Sequence, residues 1–177
     1  MQKVIKYTTF KTKWGHFGLA AGNNGLLRTC LPLAEPEMVE LQLLQNFPDS
    51  RYDKSLFKTA QEQIIAYFEG AVINFRDIPV VLDGFSSFVS TVLDACRKIG
   101  FGGRLSYSGL AKKIGRPAAA RAVGGALARN PLPLIIPCHR IVHSDGKIGG
   151  FSALGGKDLK AKLLKHEQEA LVDCKSG

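Results

Sequence analysis

No stretch of this chain approaches the roughly 20 consecutive apolar residues that a helix needs to cross a bilayer, so no membrane-spanning segment is expected. The opening residues, MQKVIKYTTFKTKW, alternate polar and apolar character and lack the apolar centre of a secretory signal. The expected location is therefore the cytoplasm, and the nucleoid within it. Cysteine is sparse: Cys30, Cys96, Cys138 and Cys174 lie far apart, with no C-x-x-C pair. That spacing predicts free thiols instead of a disulfide framework. A structural zinc site needs about four clustered ligands. Cys138, His139 and His143 are close together, but a fourth ligand is missing, so neither metal nor other cofactor is expected. Internal repeats and low-complexity segments are absent too.

Acidic residues are missing between Asp94 and Asp145, an interval that holds nine Lys or Arg. Residues 1–84 balance nine basic against nine acidic side chains, whereas residues 85–177 carry fifteen against six and so hold the whole net charge of +9. A long basic stretch without counter-charge suits a polyanion, because each phosphate contact releases counterions. A solvated basic face is the plainer reading of the charge alone.

Hydrophobic periodicity divides the chain near residues 78–84. Before that point, residues 3–10, 17–21 and 26–31 read as strands, with Asn23-Asn24-Gly25 as a tight turn. Glu37–Phe47 and Ser55–Glu69 carry helical spacing, Gly70 stops the second, and Val72–Phe75 reads as a short extended piece. After it, Ser86–Ile99 reads as a helix with Phe88, Val89, Val92, Leu93 and Cys96 on one face. Ser106 caps a helix through Ile114, Pro117 suits the first turn of another over Ala118–Ala128, and Lys157–Gln168 is a closing basic amphipathic helix. Ile141–His143 and Lys147–Ile148 flank Ser144-Asp145-Gly146 as an expected hairpin. The fold class is thus α+β. A small N-terminal antiparallel-sheet domain with helices (1–80) precedes a mostly helical, winged-helix-like helix-turn-helix domain (85–170) and a tail (171–177).

The helix pair joined at Gly115-Arg116-Pro117 has helix-turn-helix length. Its second member is built from Ala118, Ala119, Ala120, Ala122, Gly124, Gly125 and Ala126, with one long charge at Arg121. Glycine inside a helix costs about 1 kcal/mol against alanine, so two together need a reason. Close approach of the backbone to another surface supplies one. That surface is either a neighbouring helix or the narrow floor of a DNA minor groove. Side chains able to read base edges in the major groove are nearly absent, which argues against an operator-binding regulator. Arg121 either contacts a phosphate or enters the base stack to replace a base moved out of it.

The chemistry centres on Ile136-Pro137-Cys138-His139-Arg140. A thiol is a strong nucleophile only as thiolate, which an adjacent base or positive charge favours. On a strand, Cys138 and His139 would point to opposite faces, so the pair needs an irregular turn or a bridging water to communicate. A buried, inert cysteine is the reading of the pair taken alone.

The joint register of several features over Arg104–Glu167 is more specific. Ser106-Tyr107, Ala-Arg-Ala-Val-Gly-Gly-Ala at 120–126, Asn130-Pro131, Pro137-Cys138-His139-Arg140, the glycine hairpin and Leu163-Leu164-Lys165-His166-Glu167 follow one another in fixed order. In this the chain resembles the O6-alkylguanine-DNA alkyltransferases (methylated-DNA–protein-cysteine methyltransferases); residues 1–84 show only a loose likeness to that family's variable N-terminal domain. The resemblance implies irreversible transfer of an alkyl group from O6-alkylguanine, or O4-alkylthymine, to the protein itself. Cys138 corresponds to the alkyl acceptor, His139 to the base that takes its proton through a water, and Glu167 to the carboxylate that steadies the imidazolium. Tyr107 corresponds to the proton donor to the departing guanine and to a phosphate contact, and Asn130 to the hinge before the cysteine segment. Arg121 matches the finger that replaces the flipped base, and Ala120, Ala122 and Gly124 the minor-groove face. Pro133, Ile141, Gly149, Phe151 and Ser152 match the substrate pocket.

Three departures stand out. Position 151 is Phe where the family often has Tyr, the stretch Ala153–Asp158 is longer and more apolar than in some relatives, and the zinc ligands of some animal members are not evident. The implied partner is double-stranded DNA containing O6-alkylguanine, met by a monomer, with cooperation between neighbours on DNA left open. A non-enzymatic binder of alkylated DNA is the alternative, and in that class the acceptor cysteine is replaced. A cysteine hydrolase using Cys138 and His139 would leave the Ala/Gly helix unexplained.

Overall fold

The structure is a computed structural model and describes residues 4–176. The chain divides into two compact units between Val81 and Leu82.

In the first unit, β1 (Lys6–Thr12), β2 (Gly15–Gly22) and β3 (Gly25–Leu33) form an antiparallel meander. Asn23 and Asn24 turn the chain into Gly25, whose backbone φ is +148°. A side chain there would come within 2.7 Å of the Pro79 carbonyl oxygen. The space is closed because Leu26 donates to that carbonyl (2.8 Å) and accepts from Val81 N–H (2.8 Å), so the segment after the helices lies along β3. The sheet is not purely antiparallel. A two-residue strand, β4 (Arg51–Tyr52), joins β1 in parallel and gives the order β3-β2-β1-β4. Two residues carry too little pattern to be seen as a strand in the sequence; backbone bonds from Arg51 to Ile5 and from Asp53 to Tyr7 hold them. Helices α1 (Pro36–Leu44) and α2 (Lys58–Phe68) complete the unit. Val39 and Leu43 of α1 pack with Tyr7 and Ala20 of the sheet. Ile64, Tyr67 and Phe68 of α2 are buried, with the Phe68 ring 6.1 Å from Phe17.

In the second unit, α3 (Ser87–Arg97) starts where Ser86 accepts the Val89 N–H, and it buries Val89, Val92, Leu93 and Cys96. After β5 (Leu105–Ser106), Ser106 caps α4 (Tyr107–Lys113) by accepting the Gly109 N–H at 2.9 Å. The chain turns at Gly115, which has φ +72°, and enters α5 (Ala120–Leu127). This helix begins two residues later than the proline position suggests, because Ala119 N–H bonds back to Arg116 and closes a separate turn around Pro117.

The segment bearing the cysteine is a single 3-10 turn, Cys138–Arg140, and not a strand. Pro131, Pro133 and Pro137 lack the N–H groups a ladder needs, and Leu134 adopts φ +77°. Local bonds, Ile136 to Leu132 and Arg140 to Pro137, replace sheet pairing. The turn at Ser144-Asp145-Gly146 closes through His143 and Lys147, but no returning strand follows. Instead β6 (Ile141–Val142) pairs in parallel with β5. The last helix, α6 (Gly156–Ser176), runs well beyond Gln168. Among the described residues no helix is long and apolar enough to cross a membrane.

Candidate functional site

Cys138 opens the 3-10 turn and is 6% exposed. Asn130, just past α5, holds it in place. Its side-chain amide donates to the Ile136 carbonyl (2.9 Å) and to the Cys138 sulfur (3.1 Å), while its oxygen accepts the Leu132 N–H (3.0 Å). One side chain thus ties the end of α5 to the cysteine and fixes the irregular backbone between them. Burial pushes the Cys138 thiol up, against the pull of the Asn130 amide, the Lys160 ammonium and the backbone N–H groups of Cys138 and His139. The sulfur therefore rests as a thiol, surrounded by donors suited to a thiolate.

His139, the next residue, is fully buried and faces α6. Its Nε2 lies 2.8 Å from Glu167 Oε1. Glu167, 1% exposed, also accepts from Arg140 Nε (3.0 and 3.2 Å), from Arg140 Nη2 (2.8 Å) and from the Gly102 N–H (3.0 Å). Burial alone would raise the Glu167 carboxyl, but the His139 and Arg140 bonds overcome it and hold the group down at about 2. Glu167 is thus a carboxylate. Burial pushes His139 down, more than Glu167 lifts it, so the ring is neutral. With Nε2–H given to the carboxylate, Nδ1 is the bare acceptor, and it is buried without a hydrogen-bond partner among the described residues.

Beside the sulfur opens a cavity of about 540 Å³, lined by Tyr107, Arg121, Gly124, Cys138, Phe151 and Ser152, with Ala120, Leu127, Ala128, His143 and Gly150. Tyr107 stands at the start of α4, its ring 5.3 Å from that of His143. A methyl group at Gly149 would lie 2.4 Å from the Tyr107 hydroxyl, so only glycine leaves room for the phenol. On its other side is Lys160, a lysine 1% exposed. The ammonium lies 3.4 Å from the Tyr107 hydroxyl and 3.4 Å from the Gly150 carbonyl. Burial pushes Lys160 down, with the Cys138 and Cys96 sulfurs pushing back. Burial likewise raises the Tyr107 phenol, which keeps its proton.

The expected site residues fall into four groups. Cys138, Tyr107, Ala120, Arg121, Gly124, Phe151 and Ser152 line the cavity. Asn130, His139 and Glu167 stand behind the sulfur. Ala122 is exposed on α5. Pro133, Ile141 and Gly149 do not line the cavity: Pro133 bridges to Ile136, Ile141 is buried in β6, and Gly149 backs Tyr107. Lys160 is a functional candidate with no signal in the sequence, while Arg140 and His143, visible there only as a motif member and a weighed metal ligand, gain other roles in the site. A lysine in a basic helix reads as solvated, and only the tertiary structure reveals its burial. Among the described residues no cluster of three or more His, Cys, Asp or Glu is placed to hold a metal.

On α5, Val123, Ala126 and Leu127 face the core, and Arg121, Ala122 and Gly125 face solvent. The glycines are not required by packing within the chain. Nothing lies within 4 Å of a side chain built at Gly125, and Gly124 would meet Tyr107 at an ordinary 3.8 Å. The outer face of α5 is therefore smooth, exposed and headed by a single arginine.

Residues 87–169 match the family model described as 6-O-methylguanine DNA methyltransferase, DNA binding domain. A methylated-DNA–protein-cysteine methyltransferase of Mycobacterium bovis is 40% identical, with 93% of each chain covered. One of Cricetulus griseus is 36% identical over 92% of this chain and 82% of its own. The crystal structure of Mycobacterium tuberculosis O6-methylguanine methyltransferase superposes with a TM-score of 0.75 at 32% identity, covering 94% of each chain. That of the Mycobacterium tuberculosis protein in complex with DNA gives 0.76 at the same identity, covering 93% and 94%. With the amide donor and the histidine–carboxylate pair gathered behind a cysteine that lines the cavity, this likeness along nearly the whole length is decisive: the chain belongs to the methylated-DNA–protein-cysteine methyltransferase family.

Proposed function

We propose that the protein removes the alkyl group from O6 of guanine in duplex DNA and keeps it as a thioether on Cys138. The observation that carries this reading is the Cys138 sulfur, held by the Asn130 amide at the wall of a base-sized cavity with the His139–Glu167 pair behind it. Duplex DNA docks through its minor groove on the smooth face of α5, where Ala120, Ala122 and Gly124 let the backbone approach. The modified guanine rotates into the cavity and Arg121 fills the space it leaves. His139 Nδ1 takes the thiol proton through a water, and Glu167 stabilises the imidazolium that results. The thiolate attacks the alkyl carbon, forming the S–C bond as the C–O6 bond breaks. The electron pair leaves on guanine, which takes a proton from Tyr107.

Pro133, Ile141, Gly149, Phe151 and Ser152 shape the guanine site, directly or by backing its walls. Lys160 adds a buried positive charge where negative charge develops on sulfur and on the phenol oxygen. Among the described residues no group beside Cys138 is placed to cleave a thioether, so each molecule reacts once. The protein works as a monomer at the nucleoid, in the cytoplasm.

The test is intact-mass spectrometry after mixing with a duplex holding one O6-methylguanine. One added methyl group on Cys138, restored guanine and no second turnover support the reading. Tight binding with unchanged mass makes the protein a non-enzymatic binder of alkylated DNA.

A further inference from the structure

Glu167 does not serve His139 alone. Arg140 engages both carboxylate oxygens through Nε, at 3.0 and 3.2 Å, and adds Nη2 at 2.8 Å on the same Oε1 that meets the imidazole. Its remaining nitrogen, Nη1, is pinned on the Ile99 carbonyl at 2.6 Å, and Phe101 lies 5.8 Å from the guanidinium. The fork is thus 5% exposed and fixed at both ends before any substrate arrives. Nothing in the transfer reaction itself uses this arginine.

An ionised carboxylate paired only with a buried imidazole would favour the imidazolium. That pull opposes the burial that keeps His139 neutral, and every shift toward the imidazolium leaves fewer rings able to receive the thiol proton. A second, permanent cation on the same carboxylate removes that bias while leaving the carboxylate free to orient the ring. We propose that Arg140 is a positioning residue of the transfer reaction: by holding both oxygens of Glu167 it limits that carboxylate's pull toward the imidazolium, so that the buried ring keeps Nδ1 bare until Cys138 gives up its proton. The other charged group acting on His139 is Lys160 of α6, also a cation, and Cys138 is the adjoining titratable group. With Arg140 removed, the pull of Glu167 on His139 would be opposed by burial and Lys160 alone.

The proposal rests on the reading that Cys138 is the alkyl acceptor served by His139. Its test is the pH profile of single-turnover methyl transfer from a duplex with one O6-methylguanine, for the wild-type protein, Arg140→Met and Arg140→Lys. The rate requires neutral His139 and so falls as pH drops through its titration. Arg140→Met is expected to move that acid limb upward by at least about one pH unit. Arg140→Lys keeps the charge but loses the two-pronged grip, so the limb stays in place while the rate falls about tenfold.

A Met variant that is folded and active with an unshifted limb overturns the proposal, as does a Lys variant with the wild-type rate. If the Met variant does not fold, the Lys variant decides alone. Wild-type protein that transfers nothing would remove the functional reading and the proposal with it, an outcome distinct from transfer with an unmoved limb.

Discussion

Cys138 sits in a polar cage built around a group that burial would otherwise leave inert. The amide of Asn130 is the cage's most direct contact with sulfur. A hydrogen bond to a charged acceptor contributes about 1.5–3 kcal/mol. Asn130→Ala is therefore expected to slow methyl transfer by at least about tenfold, and to move alkylation of Cys138 by iodoacetamide to higher pH. Both are read by mass spectrometry. Cys138→Ala should abolish transfer and leave binding to the damaged duplex intact. Glu167 carries a stability prediction. Its folded carboxyl lies at about 2, below its ordinary value, so its contribution is complete above the ordinary value and is lost as pH falls towards 2. Thermal melts of the wild-type protein should therefore drop between about pH 4.5 and pH 2. Glu167→Gln should flatten that drop and lower stability at neutral pH, because Arg140 is left buried without its counter-charge.

These residues were unequally legible. Cys138, His139 and Glu167 stand out as candidates because they occupy fixed steps in a recognisable register. Their communication could not be read, because it depends on the 3-10 turn that directs both side chains inward and on α6 bringing Glu167 across 28 positions.

At the level of elements, α5 is the decisive one. Its composition signals a smooth surface, but only the packing shows that the smooth face is turned outward. Gly125 has a helical backbone and open space around it. Gly125→Ala should thus stabilise the fold by about 0.5–1 kcal/mol, raising the melting temperature by a few degrees. Gly125→Leu should fold equally well yet weaken binding to duplex DNA by tenfold or more, measured by fluorescence anisotropy. An unchanged affinity would mean that DNA does not approach this face closely. The cysteine segment shows the opposite relation. Its apolar residues suggest a strand, and its three prolines forbid one, because they deny the backbone donors a ladder requires.

For the molecule as a whole, the net charge of +9 belongs entirely to residues 85–177, a division visible in the sequence. Duplex affinity should fall steeply with salt, and Arg121→Ala should reduce the slope of log affinity against log salt if that residue also meets a phosphate. The α+β class, the two-part division of charge, the meander and the principal helices all follow from the sequence, since they rest on local periodicity, turn residues and composition. Family membership follows as well, because a register of short motifs survives without knowledge of the fold. Tertiary structure alone decided the rest: the parallel edge strand β4, the burial of Lys160, the Arg140 fork on Glu167 and the pressure of Gly149 on Tyr107. Each depends on contacts between residues distant along the chain, and a buried charge looks the same in a sequence as a solvated one.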